Sequence, residues 1–157
     1  MSSYADTAAL LDIGGAQPST TSLYLAFVID TEHFAVDISN IKEIIGIEPV
    51  TFVPQTENYI KGIFNLRGDI VPVIDVRLRF MKEEIPYTEE TCIVVVFYQD
   101  YILGLIVDKI LGVYTINGDM ISAPPSANLS YSNQFVKNIG RSEDGIKLLL
   151  DLERLIF

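Results

Sequence analysis

The 157-residue chain holds one cysteine, one histidine and no tryptophan. Cys92 alone makes no internal disulfide, and Cys92 with His33 is too small a set for a His/Cys zinc site. The lone histidine sits between two apolar runs and reads as a solvated turn residue, so the base of a hydrolytic triad is missing. No Gly-x4-Gly-Lys-Ser/Thr string occurs, and Gly14-Gly15 does not lie between a strand and a helix. Basic residues are scarce, with Lys+Arg 11 against Asp+Glu 21 and a formal charge of −10. That balance argues against nucleic acid or an anionic membrane surface as partner. No apolar run approaches the length of about 18 residues that a membrane span needs, and the first 22 residues lack the basic start and apolar stretch of a secretory signal. The chain therefore reads as soluble and cytoplasmic, without direct membrane insertion.

What is abundant is β-branched apolar residue. The chain has 21 Ile and 13 Val against 8 Ala, which favours strand over helix. A chain of this length buries roughly 68–70% of its unfolded surface, enough for a real core. Residues 1–22, rich in small side chains and ending in Pro-Ser-Thr-Thr-Ser, read as a flexible tail in which Ala8–Ile13 could form one amphipathic turn. Strands are expected at 23–29 and 34–38, joined as a hairpin through Asp30-Thr31-Glu32-His33, and at 60–66 and 70–74, joined by Arg67-Gly68-Asp69. Between them, 38–47 reads as a brief turn leading into a strand. Pro72 lacks a donor, which predicts an edge or bulge. Asp75 is placed to cap a short helix at 76–80. After a polar connector at 82–91, strands are expected at 92–98, 102–107, 110–116, 135–140 and 146–150, followed by a terminal segment from Asp151.

The two halves repeat one another. Phe34-Ala35-Val36, Ile38, Ile41 and Ile44 match Leu103-Gly104-Leu105, Val107, Ile110 and Val113 at an offset of 69. Ile60-Lys61, Ile63, Ile70 and Asp75 match Val136-Lys137, Ile139, Ile146 and Asp151 at an offset of 76. The change of offset fits an insertion around residues 123–134. The chain is thus expected to be mostly β, a pseudo-symmetric pair of β-barrel subdomains at 23–90 and 91–157 with short helices.

Little of the polar inventory points to chemistry. The acids at Glu83-Glu84 and Glu89-Glu90 lie in the connector, and Asp100, Asp108 and Asp119 lack calcium-loop spacing. No catalytic, cofactor-binding or metal-ligating set is expected. Acids alone can do acid–base work, but nothing in their pattern supports an enzyme. A nucleic-acid barrel would need a basic stripe around Tyr59, Tyr98, Tyr101, Tyr114 and Tyr131, and there is none. Two features are unusual for a plain barrel. If 41–47 is a strand, Glu43 shares a face with Ile41, Ile45 and Ile47; if it is a helical turn, Glu43 points to solvent. Arg67, one of five arginines, sits in a turn where it either bridges Asp69 or serves a partner.

The run from Ile60 to Arg77, containing Asn65-Leu66-Arg67-Gly68-Asp69 and Pro72-Val73-Ile74-Asp75, strongly resembles the signature of the chemotaxis coupling proteins, the CheW-like family. Ile41-Lys42-Glu43-Ile44-Ile45-Gly46 resembles the upstream segment, and Gly104-Leu105-Ile106-Val107-Asp108 with Pro124-Pro125 the second half. The similarity covers residues 23–157. It implies two five-stranded SH3-like barrels, no catalytic activity, and a scaffold that joins the cytoplasmic tip of chemoreceptors to the regulatory domain of a histidine kinase, in arrays at the inner face of the membrane. By position it assigns partner binding to Ile41, Glu43, Gly62, Arg67 and Gly68. The other readings kept open are a relative serving a motility or developmental kinase, and, in another class, a small-ligand-binding β-barrel regulator or an acid-dependent hydrolase.

Overall fold

A computed structural model describes residues 21–124 and 131–157. The first half runs β1 (Thr21–Ile29), β2 (Glu32–Asp37), a 3-10 turn (Ile38–Asn40), β3 (Ile41–Gly46), β4 (Ile60–Leu66), β5 (Asp69–Asp75) and α1 (Val76–Arg79). The second half runs β6 (Cys92–Tyr98), β7 (Tyr101–Val107), β8 (Lys109–Asn117), a 3-10 turn (Gly118–Met120), β9 (Ile121–Ser122), a 3-10 turn (Tyr131–Phe135), β10 (Val136–Ser142), β11 (Gly145–Leu150) and α2 (Leu152–Ile156). The fold is the expected one of two β-barrel subdomains with short helices. Among the described residues no helix is long and apolar enough to cross a membrane.

The strands are not sorted by halves. One sheet has the order β8-β1-β2-β11-β10-β9 and the other β3-β6-β7-β5-β4. The division expected between residues 90 and 91 therefore does not separate the sheets: each half lends its first hairpin to the other half's sheet. The exchange is symmetric. Ala35 faces Leu149 in the parallel pairing of β2 with β11, and Gly104 faces Val73 in that of β7 with β5. These are the same two positions under the two sequence offsets.

The exchanged hairpins explain the unbroken apolar runs. In β6, Val94 and Val96 enter the large core between the sheets, while Ile93 and Val95 enter the small core of one barrel. In β1, Leu25, Phe27 and Ile29 join the large core, while Tyr24 and Ala26 line the other small core. A strand covered on both faces needs no polar alternation. Each half then closes alike. The Asp75 amide donates to the Tyr59 carbonyl at 2.8 Å and the Asp151 amide to the Phe135 carbonyl at 2.8 Å. Each carboxylate caps the helix that follows, accepting from the Leu78 and Arg154 amides.

Three local expectations are corrected. The flexible tail does not reach residue 22, because Thr21 and Ser22 pair with Asn117 and Ile116 of the long β8; residues 1–20 lie outside the described residues. Of the edge or bulge expected at Pro72, the edge does not hold, since β5 is interior; the β4–β5 ladder does bulge between Ile60 and Gly62, opposite Ile74 and Val73, and pairing with β7 begins only at Val73. His33 belongs to β2 opposite Val28, since the β1–β2 turn needs only Asp30 and Thr31.

Candidate functional site

The turn between β4 and β5 is built by Arg67 and Gly68, with φ of 51° and 95°. Positive φ at both central residues is the requirement of a type I′ hairpin turn, which ordinarily selects Asn-Gly. Gly68 meets it freely and Arg67 at a cost of about 1–2 kcal/mol. Asn65 supports the turn by accepting from the Gly68 amide through Oδ1 at 2.9 Å.

The Arg67 guanidinium does not reach Asp69. Its Nη1 donates to Oε1 of Glu43, on β3. β3 and β4 are the two edges of their sheet, and curling of the sheet brings those edges together. Just beyond β3, Thr51 exchanges backbone bonds with Ile63 at 2.8 and 2.9 Å, sealing the same seam. Gly62 makes this approach possible. Its φ is 150°, and a Cβ there would stand 2.3 Å from the Thr51 carbonyl oxygen. The Arg67 side chain is 71% exposed and that of Glu43 20%. The pair therefore ties the barrel seam while presenting most of the guanidinium outward.

The expectation that Glu43 shares a face with Ile41 does not hold. β3 is a strand, but its register with β6 shifts between Ile41, opposite Val96, and Glu43, opposite Val95. This bulge turns Glu43 and Ile45 toward the small barrel core, while Ile41 stays in the large one. Ile41 is 3% exposed, so its side chain belongs to the core and is not available to a partner. Gly62 is likewise buried and acts through the backbone. Of the five expected partner-binding residues, Glu43, Arg67 and Gly68 come together at the surface.

Two exposed apolar residues were missed. Ile44 and Ile70 are 43% and 60% exposed, and their equivalents in the second half, Val113 and Ile146, are also exposed. Ile70 was detectable, because it shares the outward face of β5 with Pro72. Ile44 was not, because its direction depends on the bulge. A guanidinium on an acid, bordered in sequence by exposed aliphatic side chains, can bind protein; it contains no nucleophile–base pair.

Comparison with known proteins gives the same direction. The chemotaxis proteins CheW of Helicobacter pylori and Klebsiella aerogenes are 33% and 30% identical to this chain, each over 85% of it and 80% of the relative. The crystal structure of the scaffolding protein TtCheW from Thermoanaerobacter tengcongensis superposes with a TM-score of 0.79 at 30% identity, covering 85% of this chain and 91% of that one. With the CheW-like domain model matching residues 23–156, the chain belongs to the CheW-like family.

Proposed function

We propose that the chain is a cytoplasmic scaffold that couples chemoreceptors to a histidine kinase, docking the receptor's cytoplasmic tip and the kinase regulatory domain in arrays near the inner face of the membrane. It acts by binding and turns over no substrate. The observation that carries this reading is the exposed Arg67, held on Glu43 in a turn whose backbone geometry disfavours arginine. A planar guanidinium offers several donors in fixed directions, which suits a partner's carboxylate or backbone carbonyls. Exposed Ile44, next to Glu43 in sequence, and exposed Ile70, just after the turn, add apolar surface of the kind that interface cores use.

The test is reconstitution of receptor, kinase and this chain, reading kinase autophosphorylation. Arg67→Ala and Ile70→Asp change exposed side chains and should fold like the parent, yet reduce receptor-dependent activation at least about tenfold, the effect of one lost interface anchor. Activation equal to the parent by both variants would sink the proposal, as would tight ATP binding by the purified chain in calorimetry.

A further inference from the structure

The repeat places two equivalent clefts on the molecule, and only one of them is covered among the described residues. In the first half, the connector after α1 crosses β4 and the start of α1. Glu84 pairs with Lys61 through Oε2 and Nζ at 2.5 Å, and the Tyr87 hydroxyl donates to Oδ2 of Asp75 at 3.0 Å. Ile85 and Pro86 lie between these two anchors and line the same depression beside Lys61. Asp75 is left 2% exposed.

Sequence position 61 corresponds to 137, and 75 to 151. Lys137 and Asp151 line a cleft of about 410 Å³ in the second half, together with Val136, Ile139, Leu148 and Arg154. Among the described residues Lys137 makes no ion pair. Among the described residues the Asp151 carboxylate bonds only to Arg154, through its backbone amide at 3.3 Å and Nε at 3.7 Å. The side chains that hold the strap in the first half thus recur in the second, where no described residue bridges Lys137 and Asp151, and Pro124, Asn133 and Gln134 form the remaining wall.

We propose that this cleft binds an extended peptide of a partner protein bearing an acidic residue, an aliphatic residue, proline and tyrosine in that order, the chemistry of Glu84-Ile85-Pro86-Tyr87. Lys137 takes the acid, Asp151 accepts from the phenol, and the aliphatic and proline side chains cover Val136, Ile139 and Leu148. Charge favours an acidic occupant, since among the described residues Arg154 is balanced by Asp151 and Lys137 is left as an uncompensated cation of the cleft lining in a chain of net −10. Proline holds the peptide extended beforehand and lowers the entropy lost on binding. The covalent strap gains from a high effective concentration that a free peptide lacks, so binding in trans is weak and is best read by NMR. The site is separate from Arg67 and does not depend on how that turn is used.

The experiment titrates the full chain, 15N-labelled, with acetyl-Glu-Glu-Ile-Pro-Tyr-Thr-amide. The amides of Val136, Lys137, Ile139 and Leu148 should shift in a saturable way. Lys137→Glu should weaken binding about tenfold, and a peptide with lysine at the position of Glu84 should bind Lys137→Glu better than it binds the parent. A melting curve checks that the variant is folded. The proposal is overturned if these amides do not move, if shifts are confined to Lys61 and Asp75, or if Lys137→Glu binds like the parent. It is equally overturned if dilution alone moves the same amides, which assigns the cleft to a second copy. Nuclear Overhauser contacts into the cleft from residues 1–20 or 125–130 of the free chain would assign it to those segments instead.

Discussion

Nε of Arg79 donates to the carbonyl of Leu155 at 2.8 Å, and the two residues occupy the same position in their respective halves. Nη2 of Arg79 donates to the Arg154 carbonyl at 3.1 Å, so one side chain satisfies two carbonyls in the last turn of α2. Its guanidinium lies 4.5 Å from the Tyr59 ring centroid and 4.7 Å from that of Phe135, which are again equivalent positions. A single arginine at the pseudo-twofold relation thus joins elements that the sequence keeps about half a chain apart.

Arg79→Ala removes two charge-assisted bonds and two ring contacts. It should lower the free energy of unfolding by about 2–4 kcal/mol, measured by urea denaturation. Arg79→Lys should recover little, since an ammonium lacks the fork of donors that reaches both carbonyls while staying near both rings. A loss below about 1 kcal/mol for Arg79→Ala would show that the halves are held by the apolar core alone.

Gly62→Ala should destabilise by about 2–4 kcal/mol, because the new Cβ meets the Thr51 carbonyl oxygen at 2.3 Å in a backbone region that L side chains avoid. Gly46→Ala is the control. It meets nothing within 4 Å and should stay within about 0.5 kcal/mol of the parent. Equal stabilities for the two variants would mean that the seam at Thr51 opens without cost.

The Glu43–Arg67 pair allows fold and docking to be separated. Glu43→Lys opposes two cations and should weaken both the seam and kinase coupling. Exchanging the pair, Glu43→Arg with Arg67→Glu, restores the attraction with the signs reversed. Thermal stability should return toward the parent while coupling stays lost, because the outward charge is now negative. Recovery of coupling together with stability would make the pair purely structural.

Acid stability should depend on Asp144. Nζ of the fully buried Lys147 donates to its Oδ1 at 2.6 Å, and the Tyr114 hydroxyl to its Oδ2 at 2.7 Å. These bonds hold the carboxyl well below the usual carboxylate range, the lysine first and the tyrosine second. A carboxyl depressed in the folded state contributes stability that is complete above its unfolded value of about 4 and disappears as pH falls through the folded one. Asp144→Asn should therefore be less stable at pH 7 and show a flatter acid limb below about pH 4. Parallel urea midpoints for the two proteins across that window would contradict this.

Much of this protein is legible in sequence because it is local or periodic. The apolar runs of β4 and β6 mark those strands to the residue. Asp75 announces its helix because a cap acts on an amide only three positions away, and the repeat carries the same residue to Asp151. The repeat is visible because offsets of 69 and 76 align charged as well as apolar residues. The resemblance to the coupling family rests on the run from Ile60 to Arg77, which also contains the turn at Arg67.

Only the tertiary structure decided the rest. Each half carries hairpins of the same apolar texture, so sequence leaves it open whether β2 pairs with β5 or β11. The exchange is settled by which arrangement covers both faces of β1, β2, β6 and β7 at once. The bulge at Glu43 is a one-residue slip that no apolar pattern records, yet it moves Ile41 into the core. Arg67 finds Glu43, 24 positions away, rather than Asp69, because closing a barrel brings its edge strands together. Strands and caps follow from the chain's own periodicity and nearest amides, whereas partners across a seam follow from the closure of the sheet.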